Sequence, residues 1–276
     1  MAIDRIPVGR IARAFRRAKA ERRAAFIAYL TAGYPSLAAT RALVVELARA
    51  GVDLIELGLP FSDPLADGPT IQAASAHALK RGVTLRGIFQ TVRAIRRETD
   101  VPLVAMGYVN PVSHYGYRPF CRDAVAAGFD GVIVPDLPPE EAGELIRAAR
   151  PAKLATIFLA APTSPPARLR RIAAVSRGFV YVVSLTGVTG ARRQLPREVL
   201  TQVRALRRLT RQPIAVGFGV STPAQVRWLS GVADGVIVGS ALVEAVRKRY
   251  ASRSVPFSGA AGIGRWVRPL VEATRR

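Results

Sequence analysis

Short, nearly continuous apolar runs alternate along the chain with longer segments whose apolar residues recur every three or four positions. Strands without polar alternation are what a parallel sheet covered on both faces requires, and the longer period is that of amphipathic helices. Three runs share one frame: "ARAGVDLIELG" (48–58), "AAGFDGVIVPD" (126–136) and "LSGVADGVIVGS" (229–240). Each reads as a helix end, a glycine suited to a left-handed C-cap, an aspartate, and then a β-branched strand. Further runs at 26–30, 103–106, 154–159, 179–183 and 213–216 bring the strands to eight. Helical patterns lie between them at 37–50, 84–98, 139–149, 165–175, 197–209 and 223–229. Another helix, 8–20, precedes the first strand, and 263–274 closes the chain. Eight strand–helix units in 276 residues predict an α/β fold, a single (β/α)8 TIM barrel with an extra N-terminal helix. No linker divides the chain, so 1–276 reads as one barrel domain. Residues 1–25 hold the N-terminal helix, and 251–276 hold the tail and closing helix.

Composition narrows the class. Half of the residues are hydrophobic, enough for a sizeable core, yet no uninterrupted apolar stretch is long enough to span a bilayer. "AAFIAYLTA" (24–32), behind Arg22 and Arg23, imitates a secretory signal, but it reads better as the first strand of the repeating pattern. The single cysteine, Cys121, excludes an internal disulfide framework and a CxxC site, and a reducing cytoplasm is the expected location. A formal charge of +22 raises the question of nucleic acid. The cations are nearly all arginines scattered over helical segments, with no aromatic residues interleaved for base stacking, so a solvated basic surface is expected and no nucleic-acid partner. Such a surface still attracts phosphorylated substrates.

In barrels of this kind the chemistry sits where strands end. The second strand breaks its apolar run with Glu56, and Asp63 and Asp67 follow in the loop "PFSDPLADGPT". A glutamate among Leu and Ile costs several kcal/mol if ionised and unpaired, so its pKa should rise into the range useful for acid–base work, about 7. Asp67, on a loop, is expected to stay more solvated and ionised, which divides roles between the two carboxyls. Asp63, before Pro64, fits a turn or cap equally well. "YVN" (108–110) follows the third strand, Asp136 ends the fourth, and Tyr181 lies in the sixth. "SLTGVTG" (184–190), "GFG" (217–219) and Gly239-Ser240 end the sixth, seventh and eighth strands, which are neighbours in a barrel. Glycines that let backbone N–H groups approach an anion, beside a helix beginning near Ser240, describe a phosphate cradle. The two histidines, His77 and His114, lack ligand-like spacing, so no metal site is expected.

"ELGLPFSDPLADGPTIQ", followed in order by "SLTGVTG", "GFGVS" and "VGSALV", closely resembles the tryptophan synthase α-subunit family over about residues 15–246. The resemblance implies a (β/α)8 barrel that cleaves indole-3-glycerol phosphate to indole and glyceraldehyde 3-phosphate. It implies that Glu56 moves the protons, that Asp67 accepts the indole N–H, and that Tyr181 is the active-site tyrosine. Gly190, Phe218, Gly219, Gly239 and Ser240 would hold the phosphate, and Phe26, Ile71, Met106 and Ile133 would flank the indole. Thr189 would join Asp67 across a lid, while Asp63 and Asn110 match positions near a partner. That partner is a β subunit in an αββα complex; it carries pyridoxal phosphate, and the α chain has no cofactor. A different phosphate-binding barrel enzyme would need another catalytic set, such as a barrel lysine. The four lysines lie away from the expected strand ends, save Lys153, which begins one. A catalytically silent binding protein is disfavoured by the presence of Glu56 and Asp67 together.

Overall fold

The computed structural model of the protein describes residues 9–183, 197–217, 219–251 and 259–276. Its strands are β1 (Ala25–Thr31), β2 (Leu54–Gly58), β3 (Leu103–Met106), β4 (Gly131–Ile133), β5 (Ala155–Ile157), β6 (Leu159–Ala160), β7 (Val180–Val183), β8 (Ile214–Gly217) and β9 (Gly235–Val238). All pair in parallel, in the order β5-β4-β3-β2-β1-β9-β8-β7-β6. The two ends of that ladder, β5 and β6, are one stretch of chain interrupted only at Phe158, whose carbonyl accepts the Tyr181 N–H at 3.1 Å. The expected fifth strand, 154–159, is therefore present with a break, and the eight strand–helix units close into a barrel.

The helices are α1 (Arg10–Ala20), α2 (Leu37–Arg49), α3 (Pro69–Lys80), α4 (Leu85–Ile95), α5 (Val109–Tyr115), α6 (Tyr117–Ala127), α7 (Gly143–Ala152), α8 (Pro166–Val175), α9 (Arg197–Leu209), α10 (Pro223–Ser230), α11 (Ser240–Ala251) and α12 (Ala260–Glu272). Their starts follow local chemistry. Ser36 and Thr84 accept the N–H groups of Ala39 and Gly87, and Thr222 forms a capping box with Gln225. α7 begins later than the pattern 139–149 suggests, because a turn onto the Pro138 carbonyl precedes it. The closing helix starts at Ala260 and ends at Glu272, offset from 263–274 at both ends.

Two cores result from the period-two alternation of the strands. Ala25, Ile27, Leu54, Val104, Ile133, Ile157, Tyr181, Ala215 and Ile237 fill the barrel, and Ile11, Phe15 and Ala18 of α1 plug its lower end. Phe15 meets Phe179 at a ring distance of 5.6 Å. The alternate residues pack outward under the helices in a second cluster, which includes Phe26, Leu43, Ile55 and Val182.

The aspartate of each repeated frame has one structural job. Asp53, Asp130 and Asp234 accept the N–H groups of Phe26, Leu103 and Ile214 at 2.9, 2.9 and 2.8 Å. Each thus caps the start of the neighbouring strand β1, β3 or β8. Each is also paired with arginine: Asp53 with Arg17 and Arg23, Asp130 with Arg10 and Arg96, Asp234 with Arg207. The repeated glycines divide differently. Gly51 and Gly128 adopt the left-handed conformation expected of them, at φ +94° and +114°. Gly231 stays right-handed at φ −70°, because the extra residue Ala233 gives that frame a longer turn before its aspartate.

Candidate active site

The upper end of the barrel gathers the carboxyls. Glu56 is third in β2, paired in register with Tyr29 of β1 and Val104 of β3. It is fully buried, and neither carboxyl oxygen has a hydrogen-bond partner among the described residues. Burial without compensation disfavours the charged form and pushes its carboxyl up to about 8. That is the behaviour expected from its place in the apolar run.

Asp67 is half-buried, less solvated than a loop position suggests. Burial raises its carboxyl to about 6, and a hydrogen bond from the Tyr108 hydroxyl opposes that rise. The expected ordering survives the correction, since Asp67 remains the more acidic of the two. Near neutral pH, Glu56 is mostly protonated and Asp67 mostly ionised.

Tyr29 and Tyr181 complete the interior around these acids. Burial raises both phenols, and each also feels the charges of Glu56 and Asp67. Tyr181 lies against Gly217, where a Cβ would meet its hydroxyl at 2.5 Å. Tyr29 was not legible as a site residue, because the expectation fell on Phe26. Strand phase overturns that expectation: Ala25 and Ile27 face the interior, so Phe26 faces the helix layer, where it is fully buried. Tyr29, in register with Glu56 and with its ring over Gly58, takes that place on β1, while also packing with the outer cluster. Ile133 is in the interior cluster and Met106 packs against it. Ile71, on the first turn of α3, is buried in the outer cluster.

Farther along the same rim, after β8, Gly219 adopts φ +73°, which a residue with a side chain rarely does. The Gly239 carbonyl accepts the N–H groups of Leu242 and Val243 and so opens α11, with Ser240 exposed as its first residue. Thr189, Gly190 and Phe218 lie outside the described residues. Asp63 is exposed, its carboxylate taking a hydrogen bond from the Ser62 hydroxyl. Asn110 is exposed on the first turn of α5, and the Asn110 carbonyl accepts the Ser113 hydroxyl. Among the described residues no group of three or more His, Cys, Asp or Glu side chains could hold a metal ion, and no helix is long and apolar enough to cross a membrane.

Residues 15–258 match the family model described as "Tryptophan synthase alpha chain". The chain is 50% identical over 236 residues to the tryptophan synthase alpha chain of Geotalea daltonii, covering 86% of this chain and 89% of that one. It is 48% identical over 268 residues to that of Geobacter sulfurreducens, covering 97% and 98%. Among solved structures, Mycobacterium tuberculosis tryptophan synthase superposes with a TM-score of 0.88 at 40% identity, over 97% of this chain and 99% of that one. The alpha subunit from Legionella pneumophila gives 0.87 at 35%, over 96% and 98%. The chain belongs to the tryptophan synthase alpha chain family.

Proposed function

We propose that Glu56 and Asp67 are the two carboxyls with which this family member cleaves indole-3-glycerol phosphate to indole and glyceraldehyde 3-phosphate. The observation that carries the assignment is a fully buried glutamate in the middle of β2, without a hydrogen-bond partner among the described residues and with its carboxyl raised to about 8. The bond to be broken joins the indole ring to a carbon bearing a hydroxyl. Protonated Glu56 delivers its proton to the ring carbon at that bond. Positive charge then spreads to the ring nitrogen, and ionised Asp67 accepts the indole N–H and stabilises it. The Glu56 carboxylate now takes the proton of the hydroxyl. The electrons of the O–H bond form the aldehyde as the carbon–carbon bond opens, and Glu56 ends protonated as it began.

Tyr181 and Tyr29, uncharged because burial raises both, wall the chamber beside Glu56. Gly219, Gly239 and Ser240, with Gly190 and Phe218, hold the phosphate; the positive end of α11 and the left-handed backbone at Gly219 support that reading. Met106 and Ile133 flank the indole. The chain acts as the α subunit of an αββα assembly in the cytoplasm, needs no cofactor itself, and leaves pyridoxal phosphate to the β subunit. Asp63, Asn110 and Leu65, which is 93% exposed on the same loop as Asp63, form the surface that meets that subunit. Residues 1–276 work as one barrel domain.

Indole release by Glu56→Gln is the test. Turnover falls by roughly a few hundredfold or more while binding of indole-propanol phosphate is unchanged. Near-normal release by the folded variant removes Glu56 from the chemistry.

A further inference from the structure

Tyr108 stands between β3 and α5, as the N-cap residue of the helix, and is 5% exposed. Its ring packs on Phe61 of the loop after β2, with centroids 5.4 Å apart. Its hydroxyl accepts the Ala66 N–H at 3.0 Å, one residue before Asp67, and from there is placed to donate to the Asp67 carboxylate. One phenol can do both, having a proton to give and lone pairs to receive. The next N–H, that of Val109, bonds the Asp136 carboxylate at 2.9 Å, so the loops after β2, β3 and β4 are joined in sequence through this point.

The loop that carries Asp67 is otherwise held by its own turns: Leu65 N–H to the Asp63 carbonyl and Asp67 N–H to the Pro64 carbonyl. Gln72, on the following helix, reaches the Asp67 carbonyl at 2.9 Å, which fixes backbone but not the carboxylate. Tyr108 ties the loop to a neighbouring strand–helix unit and reaches the carboxylate itself.

We propose that Tyr108 is a positioning residue for the reaction: its hydroxyl fixes the Asp67 carboxylate on the barrel rim in the orientation and charge state that an indole N–H requires. This role rests on the assignment of Asp67 given above. The other titratable groups around Asp67 are Tyr29 from β1, Glu56 from β2 and Tyr181 from β7. Burial raises the Asp67 carboxyl, and the Tyr108 hydroxyl offsets part of that desolvation.

The experiment uses Tyr108→Phe, which keeps the ring and its packing on Phe61 and removes only the hydroxyl. kcat/KM for indole-3-glycerol phosphate is measured from about pH 5.5 to 8.5 with saturating β subunit, for wild type, Tyr108→Phe, Asp67→Asn and the double variant. The ratio of Tyr108→Phe to wild type cancels the titration of Glu56. It is expected near one-tenth at about pH 6.5 and to climb to within about threefold of wild type at about pH 8.5, as Asp67 regains its charge. Tyr108→Phe adds nothing further to Asp67→Asn. A ratio that stays flat with pH, or an additional loss in the double variant, overturns the role of Tyr108. Near-normal activity of Asp67→Asn overturns the assignment of Asp67 and this role with it. The two failures are therefore distinguishable.

Discussion

The hydroxyl of Tyr29 occupies the space that a side chain at Gly58 would take: a Cβ at Gly58 would stand 2.0 Å from that oxygen and 2.6 Å from the ring carbon bearing it. β1 and β2 thus share one interior volume, with the tyrosine crossing from its own strand over the glycine two residues beyond Glu56. A bulky side chain on one strand is accommodated by none on the other.

Gly58→Ala forces the Tyr29 ring off its position in a closely packed chamber. The expected result is a loss of at least tenfold in kcat and a destabilisation of about 1–3 kcal/mol. Urea unfolding and indole release check it. Wild-type values in both would mean that Tyr29 can move freely.

The two raised carboxyls predict a bell-shaped profile of kcat/KM. Asp67 must be ionised, so the acidic limb falls below about 6, and Glu56 must be protonated, so the basic limb falls above about 8. The maximum lies between them, near neutrality. Measurement with Glu56→Asp or Asp67→Asn assigns the limbs, since each should alter one side only.

The same burial makes Glu56 a cost to stability. Its carboxyl binds a proton more tightly folded than unfolded, so the folded state loses stability as pH rises from about 4.5 towards 8. Glu56→Gln removes that loss. The variant should be more stable than wild type at about pH 8, by on the order of 2–4 kcal/mol, with the difference shrinking towards about pH 4. Thermal unfolding at the two pH values decides; a constant difference would show that Glu56 does not titrate in the folded chain.

Ser240 is exposed at the first position of α11, so replacing it perturbs charge without opening the core. Ser240→Asp sets a carboxylate where the substrate phosphate is proposed to lie. KM should rise by about tenfold or more with kcat little changed. An unchanged KM would place the phosphate elsewhere on the rim.

At the opposite end of the barrel, Asp53→Ala would leave the Phe26 N–H without its side-chain acceptor and take the Asp53 carboxylate from Arg23, which keeps the Glu21 carboxylate and the Ala24 carbonyl. The expected cost is about 1–3 kcal/mol of stability, mainly from the unpaired buried Phe26 N–H. KM for the phosphorylated substrate should not change, because the site lies at the other end of the strands. Equilibrium unfolding with parallel kinetics checks both halves of that statement.

Local properties were legible in the chain itself. The strand–helix alternation follows from apolar periodicity, which is a property of neighbouring residues, and so the barrel was readable without contacts. Glu56 was readable for the same reason, as one acid inside an apolar run. What the sequence could not settle was phase and neighbourhood. A period-two strand has two faces, and only the closed barrel decides that Ile27 looks inward, that Phe26 looks out and that the Tyr29 ring lies over Gly58. The solvation of Asp67 depends on Tyr108, 41 residues further along the chain, closing over its loop. The repeated Asp53, Asp130 and Asp234 were visible as a pattern, but each caps a strand that precedes it in the chain and lies beside it in the barrel. Such contacts join residues distant in sequence, so only the closed barrel, with its parallel register, decided them.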